Sequence, residues 1–322
     1  MGRADTGIYA MSISTELIKQ INALKKDRNA LILVHNYQLP EVQDIADFSG
    51  DSLELARKAE VNDAEVIVFC GVHFMAETAA LLSPRKTVLL PDLNAGCPMA
   101  DMVTPEIVKD LKAEHPDGVV VCYVNSSAEV KAESHVCCTS ANAPQVVGQI
   151  PKNRPVIFVP DQYLAGHVER VLGRTLITHP GYCPTHARIL PEHIETARKA
   201  YPDAPVMVHP ECRAETALAA DEVLSTGGMC KFARKTDAKT VLVGTEIGLI
   251  HRLEKENPNK TFVPILEQAV CPNMKMVTLE KILDSLETLT PRVTVADDVA
   301  EKAKLTIVRM LRGWTPEEVS HG

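Results

Sequence analysis

The sequence predicts an α/β protein of three homologous three-layer α/β/α units, each with a parallel sheet, set around a pseudo-threefold axis with the active site at the centre. Three observations carry this. Nine short, apolar, β-rich runs alternate with helix-like segments. These runs are apolar on both faces, as in parallel strands covered by helices on either side. They also come in threes, and polar and cysteine features recur with them at a spacing of about 87 residues.

In chain order the strand runs are "LILV", "EVIVF" and "TVLL", then "GVVVCYV", "VIFV" and "TLIT", then "PVMV", "TVLVG" and "TFVPI". Between them lie helical patterns with readable starts. Thr104-Pro105-Glu106 offers a capping hydroxyl with proline in the first turn. "LPEHIETARKAY" places a glutamate early and Arg-Lys late, matching the helix dipole. "DDVAEKAKLTIVRMLRGW" reads as a closing amphipathic helix. Unit boundaries are expected at 12–98, 99–184 and 185–275, with the C-terminal helices 276–314 packing on the first unit. The first ten residues, "MGRADTGIYA", read as a poorly structured leader.

The repeat is tested by counting. The first strand of each set ends in a polar triplet: His35-Asn36-Tyr37, Tyr123-Val124-Asn125 and His209-Pro210-Glu211, with starts 88 and 86 residues apart. Seventeen residues beyond each start stands a hydroxyl, at Ser52, Ser140 and Thr226. Each unit closes on a Cys-Pro pair at Cys97, Cys183 and Cys271, at intervals of 86 and 88. Ligands of open parallel sheets bind beyond the carboxyl ends of the strands, where triplets and Cys-Pro turns both fall. Three units with these ends inward bring three thiols, three triplets and three hydroxyls to one composite site.

Composition narrows the partners. A net charge of -8 with no basic block argues against nucleic acid and against an anionic membrane surface. The apolar runs are far shorter than the roughly 20 residues needed to span a bilayer. Small-molecule substrates and a cytoplasmic location are expected. Nine cysteines in 322 residues suit a reducing compartment, where clustered thiols mean metal or catalysis.

Three convergent thiols with no fourth in register suit a zinc ion with an open position, or a [4Fe-4S] cluster with one iron not held by protein. Proline after each cysteine stiffens the turn. His35, Tyr37, Tyr123, His209 and Glu211 include types that move protons near neutral pH. Asn125, Ser52, Ser140 and Thr226 offer hydrogen bonds to carboxylate or phosphate oxygens. Taken alone, Ser52 is a helix cap and His35 a strand-end histidine; the register lifts them. Cys137-Cys138, Cys70, Cys122 and Cys230 read as packing, and Cys212 as lining the site without binding metal. His186 reads as a hydrogen-bonding neighbour of Cys183 rather than a fourth ligand.

The stretches "LVHNYQLPEVQDIADFSGDSLELAR", "FCGVHFMAETA", "PDLNAGCPMADM", "YVNSSAEVKA", "TSANA", "FVPDQYL", "PGYCPTH", "HPEC", "STGGM", "GTEIGL" and "CPNMK" resemble, in order, the quinolinate synthase family from about residue 31 to 276. The resemblance implies three α/β/α domains in one chain, in agreement with the repeat. It implies condensation of iminoaspartate (iminosuccinate) with dihydroxyacetone phosphate to quinolinate, with loss of phosphate and two waters, in NAD biosynthesis. It further implies one [4Fe-4S] cluster per chain on Cys97, Cys183 and Cys271, its free iron facing substrate as a Lewis acid. Carried over by position, His35, Ser52, Tyr123, Asn125, Ser140, His209, Glu211 and Thr226 contact substrate, and Tyr37, Tyr123, His209 and Glu211 are the catalytic set. An L-aspartate oxidase or dehydrogenase is implied upstream by pathway logic. Some members carry a C-x-x-C pair at the last ligand; here Cys271 is followed by Pro272, Asn273 and Met274, so no thiol switch is expected there.

Overall fold

The computed structural model describes residues 4–314, with side chains from residue 15 onward. Its elements repeat as helix and strand in strict alternation. The first unit holds α1 (Ala4–Asp27), β1 (Ala30–His35), α2 (Pro40–Asp44), β2 (Phe48–Gly50), α3 (Ser52–Glu60), β3 (Val66–Cys70), α4 (His73–Leu82) and β4 (Thr87–Leu89). The second holds α5 (Pro105–Glu114), β5 (Val119–Tyr123), α6 (Ala128–Ala132), β6 (Val136–Cys138), α7 (Ala143–Gly148), β7 (Val156–Val159), α8 (Gln162–Leu172) and β8 (Ile177–Thr178). The third holds α9 (Pro191–Ala200), β9 (Val206–Val208), α10 (Ala214–Ala219), β10 (Glu222–Val223), α11 (Thr226–Lys235), β11 (Thr240–Gly244), α12 (Gly248–Glu256) and β12 (Thr261–Pro264). Two helices close the described chain, α13 (Leu279–Thr288) and α14 (Asp297–Arg312).

Each unit forms one four-stranded sheet, and the strand orders are equivalent: β2-β1-β3-β4, β6-β5-β7-β8 and β10-β9-β11-β12. All ladder pairings are parallel. The nine expected strands are therefore joined by three others, β2, β6 and β10. At two or three residues each they are too short to show periodicity, and "FSG" and "EV" carry little apolar signal.

The alternation of side chains along β1 makes the first sheet two-faced. Ile32 and Val34 pack with Ile21 of α1 and with Ile282 and Leu286 of α13. Leu33 enters the core that contains Leu55 of α3 and Ala79 of α4. Full burial of such a side chain contributes about 1.5–3 kcal/mol. The C-terminal helices, expected to pack on the first unit, both touch it, and one reaches further. Helix α13 packs on α1 and β3, but α14 lies against α6 and β6 of the second unit as well as α4 of the first. Its Thr306 Oγ1 sits 3.1 Å from Cys137 Sγ, and Arg309 donates to the carbonyl of His135. The expected leader over residues 1–10 is corrected, because the backbone is already helical at Ala4; residues 1–3 lie outside the described residues. Among the described residues no helix is long and apolar enough to cross a membrane.

In each sheet the chain runs outward from β1, β5 or β9 to one neighbour, then returns to the other side. The carboxyl ends of β1 and β3, and of their counterparts, thus flank a topological switch point, where α/β sheets open a crevice.

Candidate active site

One cavity lies where these strand ends meet, and its wall draws on all three units. The triplets supply His35 and Tyr37, Tyr123 and Asn125, His209 and Glu211. The hydroxyls of Ser52, Ser140 and Thr226 belong to it, as do Cys97, Cys183 and Cys271. The twelve candidate site residues thus share one cavity, and the middle residues of the triplets, Asn36, Val124 and Pro210, are not on its wall. Among the described residues its wall carries no lysine or arginine.

The nine cysteines divide sharply by exposure. Cys97, Cys183 and Cys271 are the three that are not fully buried; the other six are buried, and no pair is bonded. Each of the three enters a short turn of 3-10 helix (Ala100–Met102, His186–Arg188 and Asn273–Met276). The turns aim backbone amides at the sulfurs: Met99 and Ala100 at Cys97, His186 at Cys183, Asn273 and Met274 at Cys271. Burial is the larger effect and pushes Cys97 up to about 12, with Cys183 and Cys271 also raised. A cation among the thiols would reverse that balance, since metal binding deprotonates a coordinating thiol. Three thiols from three units, each with amides ready for a thiolate, fit a cluster held by three cysteines. Cys212, expected along this wall, instead sits in the core of the third unit, 3.7 Å from the Gly244 carbonyl.

The histidines at the two strand ends share one device. His35 Nδ1 accepts the amide of Tyr37 at 3.2 Å, and His209 Nδ1 accepts the amide of Glu211 at 3.3 Å. Burial lowers both to about 3. Each ring is therefore neutral near pH 7, with its proton on Nε2 as a hydrogen-bond donor. Burial alone would raise Glu211, but His209 and His186 beside it, with hydrogen bonds from His186 and Tyr123, outweigh that and hold it at about 2. Its Oε1 accepts from Tyr123 Oη at 2.6 Å and Asn125 Nδ2 at 3.3 Å, and its Oε2 lies 2.7 Å from His186 Nδ1. Burial keeps Tyr37 and Tyr123 well above the ordinary tyrosine value, so both phenols hold their protons. Asn125 Oδ1 is buried with no partner among the described residues.

Ser52 and Thr226 stand at helix starts but are not the caps, and Ser140 lies in the turn ahead of α7. Asp51 caps α3 through a capping box with Glu54, and Ser225 caps α11 by accepting from Gly228. This leaves Ser52 free of capping, while Thr226 Oγ1 accepts from Asn36 Nδ2 at 2.9 Å. Several wall or supporting groups were not assigned a role from sequence. Glu246, fully buried, joins the wall and binds Lys275 at 2.9 Å, the Cys271 amide at 3.1 Å and the Gly248 amide at 2.7 Å. Thr245 bridges Tyr37 and His186 from behind the wall. Their position after β11 corresponds to "CGVH" after β3 and "VPDQ" after β7, a register that strand-end counting would have reached. His186 sits against Cys183 Sγ at 3.2 Å as well as Glu211, a Cys-His-Glu group able to take a single metal ion.

The family described as quinolinate synthetase A protein matches residues 19–312. The chain is 59% identical to a quinolinate synthase of Dehalococcoides mccartyi (strain CBDB1) over 298 residues, covering 92% of this chain and 98% of that one. It is 52% identical to a quinolinate synthase of Thermus thermophilus, covering 92% and 96%. It is 53% identical to quinolinate synthase 1 of Methanosarcina acetivorans, covering 92% and 97%.

Proposed function

Because the chain belongs to the quinolinate synthetase A family, we propose that it condenses iminoaspartate with dihydroxyacetone phosphate to quinolinate, releasing phosphate and two waters, in de novo NAD biosynthesis. The observation that carries this reading is the single cavity shared by three thiols, the outer residues of three triplets and three hydroxyls from three sheets of equivalent order. The three units, with boundaries near residues 98, 184 and 275, are taken as related by a pseudo-threefold axis through that cavity. The cytoplasm is the proposed location, with an L-aspartate oxidase or dehydrogenase as upstream supplier.

Cys97, Cys183 and Cys271 would hold a [4Fe-4S] cluster. When bound, it supplies an iron with no protein ligand, a Lewis acid for substrate oxygen in the loss of water. The remaining work falls to the chain. Both substrates are anionic, and the wall meets them with neutral donors: the Nε2–H of His35 and His209, the Asn125 amide and the hydroxyls of Ser52, Ser140 and Thr226. Fixed donors in a water-poor cavity stabilise developing charge more strongly than water does.

Losing two waters and a phosphate requires protons to be removed at carbon or nitrogen and delivered to departing oxygens. Glu211 is the ionised group able to accept one at Oε1 or Oε2. Tyr123 Oη, bonded to Glu211 Oε1, and Tyr37 Oη, held near His186, are protonated phenols able to deliver one. His209 stacks on His186, with ring centroids 4.6 Å apart, which keeps its donor nitrogen in place.

A zinc-dependent hydrolase or lyase is the second reading, favoured by the Cys183-His186-Glu211 group. Anaerobic purification separates the two. The first expects a brown protein with roughly four irons and four sulfides per chain and quinolinate formed from the two substrates. Colourless protein with stoichiometric zinc and no quinolinate would overturn it.

A further inference from the structure

A cation, Arg252, stands behind the cavity wall, joined to it through one intervening side chain. We propose that Arg252 and Asn36 set the polarity of the Thr226 hydroxyl, making it a hydrogen-bond donor to an anionic oxygen of substrate, carboxylate or phosphate, with Asn36 as its positioning residue. This deepens the reading of the reaction given above and rests on it.

The direction follows from what each group can donate. An arginine has donors and no acceptor, so the oxygen of the Asn36 amide must face it: Arg252 Nη1 donates to Asn36 Oδ1 at 2.7 Å. That fixes the amide, whose nitrogen faces Thr226 Oγ1 at 2.9 Å. An amide NH2 only donates, so Thr226 accepts there and its own proton is left over. Thr226 belongs to the cavity wall, which makes that proton available to an oxygen bound in the cavity. An anionic oxygen is an acceptor only, and a hydroxyl held in this way meets it already turned.

Each member of the row is held in place. Asn36 is fully buried and off the wall, so it acts through Thr226 and not on substrate. Its backbone amide donates to the Gly50 carbonyl at 3.2 Å, and its carbonyl accepts from Gln43 Nε2 at 3.3 Å. Arg252, on α12, donates from Nε to Glu256 Oε1 at 2.6 Å, and its Nη1 lies 3.9 Å from Glu54 Oε2. Hydrogen bonds in a buried chain polarise one another, so the cation strengthens the last donor of the row. Among the described residues the wall has no lysine or arginine of its own, and the row lends it donor strength without placing a charge in the cavity.

Asn36→Asp is the sharpest test. It keeps the shape and the Arg252 contact but cannot donate, so the Thr226 proton turns to it and lone pairs face the cavity. On the cluster-loaded protein, KM for the substrate whose oxygen meets Thr226 should rise about 10- to 100-fold, the effect of losing a hydrogen bond to a charged group. Meanwhile kcat should stay near its original value. A rise for iminoaspartate with weaker binding of quinolinate assigns a carboxylate, and a rise for dihydroxyacetone phosphate alone assigns the phosphate. Thr226→Val separates this from plain charge repulsion, because in that background Asn36→Asp should add no further rise. Arg252→Met frees the amide to flip and should raise the same KM, which keeps the test open if Asn36→Asp does not fold. A further readout needs no turnover. In the full-length protein with 15N-labelled asparagine, one side-chain amide signal should shift in both Thr226→Val and Arg252→Met. Unchanged KM values in Asn36→Asp or Arg252→Met, a rise that persists in full on top of Thr226→Val, or no amide signal that shifts in both variants would each overturn the proposal. If the unsubstituted protein forms no quinolinate, the reading of the reaction fails instead, and the amide signal still decides whether the row of bonds exists.

Discussion

Lowering the pH tests the neutral-histidine arrangement at its root. His35 and His209 are each held at about 3 by burial, against 6.5 for a free histidine. With folded values depressed, the unfolded chain takes up protons first. Stability is therefore fully present above about pH 6.5 and is lost as the pH falls towards 3. Inside that window each such histidine makes the unfolding free energy fall by about 1.4 kcal/mol per pH unit. From pH 7 to pH 5 this amounts to about 2 kcal/mol per ring, or about 4 kcal/mol for the pair. Glu211, held at about 2, gives up its share only below the ordinary carboxylate value of 4.5, outside this range. His135 and His167, lowered to about 4 by burial, add the same sign in every variant and cancel in the comparison. The assay is urea unfolding of the metal-free full-length chain at pH 7, 6 and 5, beside His35→Gln and His209→Gln. Each variant should show a slope of stability against pH shallower by about 1.4 kcal/mol per unit as the pH nears 5. The readout is the slope, so a change in absolute stability does not obscure it. A variant with the slope of the unsubstituted chain would mean that the ring already carries a second proton when folded, and the Nε2–H donor role would fall.

Three further outcomes are expected. Cys97→Ala, Cys183→Ala or Cys271→Ala should each fail to retain iron and sulfide on anaerobic reconstitution, whereas Cys70→Ala, buried in the first sheet, should load fully; full loading of any of the first three removes that residue from the ligand set. Tyr37→Phe should load its cluster and lose turnover, and normal quinolinate formation would take the phenol out of the mechanism. Ile307→Ala on α14, fully buried, should reduce stability by about 2–5 kcal/mol, and an unchanged urea midpoint would show that α14 is not needed for the packing of the first two units.

The cavity was legible in the sequence because its residues stand in register with a repeat. His35, Tyr123 and His209 end or directly follow equivalent strands, and the thiols close equivalent units, so counting found them without any contact being known. What counting missed depends on contacts between units. Asn36 is central to its triplet, yet its partners, Thr226 and Arg252, lie 190 and 216 residues away. Thr245 and Glu246 occupy a motif visible in the sequence, but their meaning comes from Tyr37, Lys275 and Cys271, which no local pattern connects to them. The missed strands β2, β6 and β10 failed for a simpler reason. Each owes its conformation to pairing with the long strand beside it and has too few residues to announce itself.

The three thiols have a consequence for how the molecule matures. Because each unit contributes one, a nascent chain in which any unit is misfolded or undocked presents at most two sulfurs to an incoming metal. On the proposed three-cysteine site, iron retention would then act as a checkpoint on the whole tertiary assembly. A preparation can be graded by its brown colour for completed folding, and chains that stall during synthesis would be left metal-free.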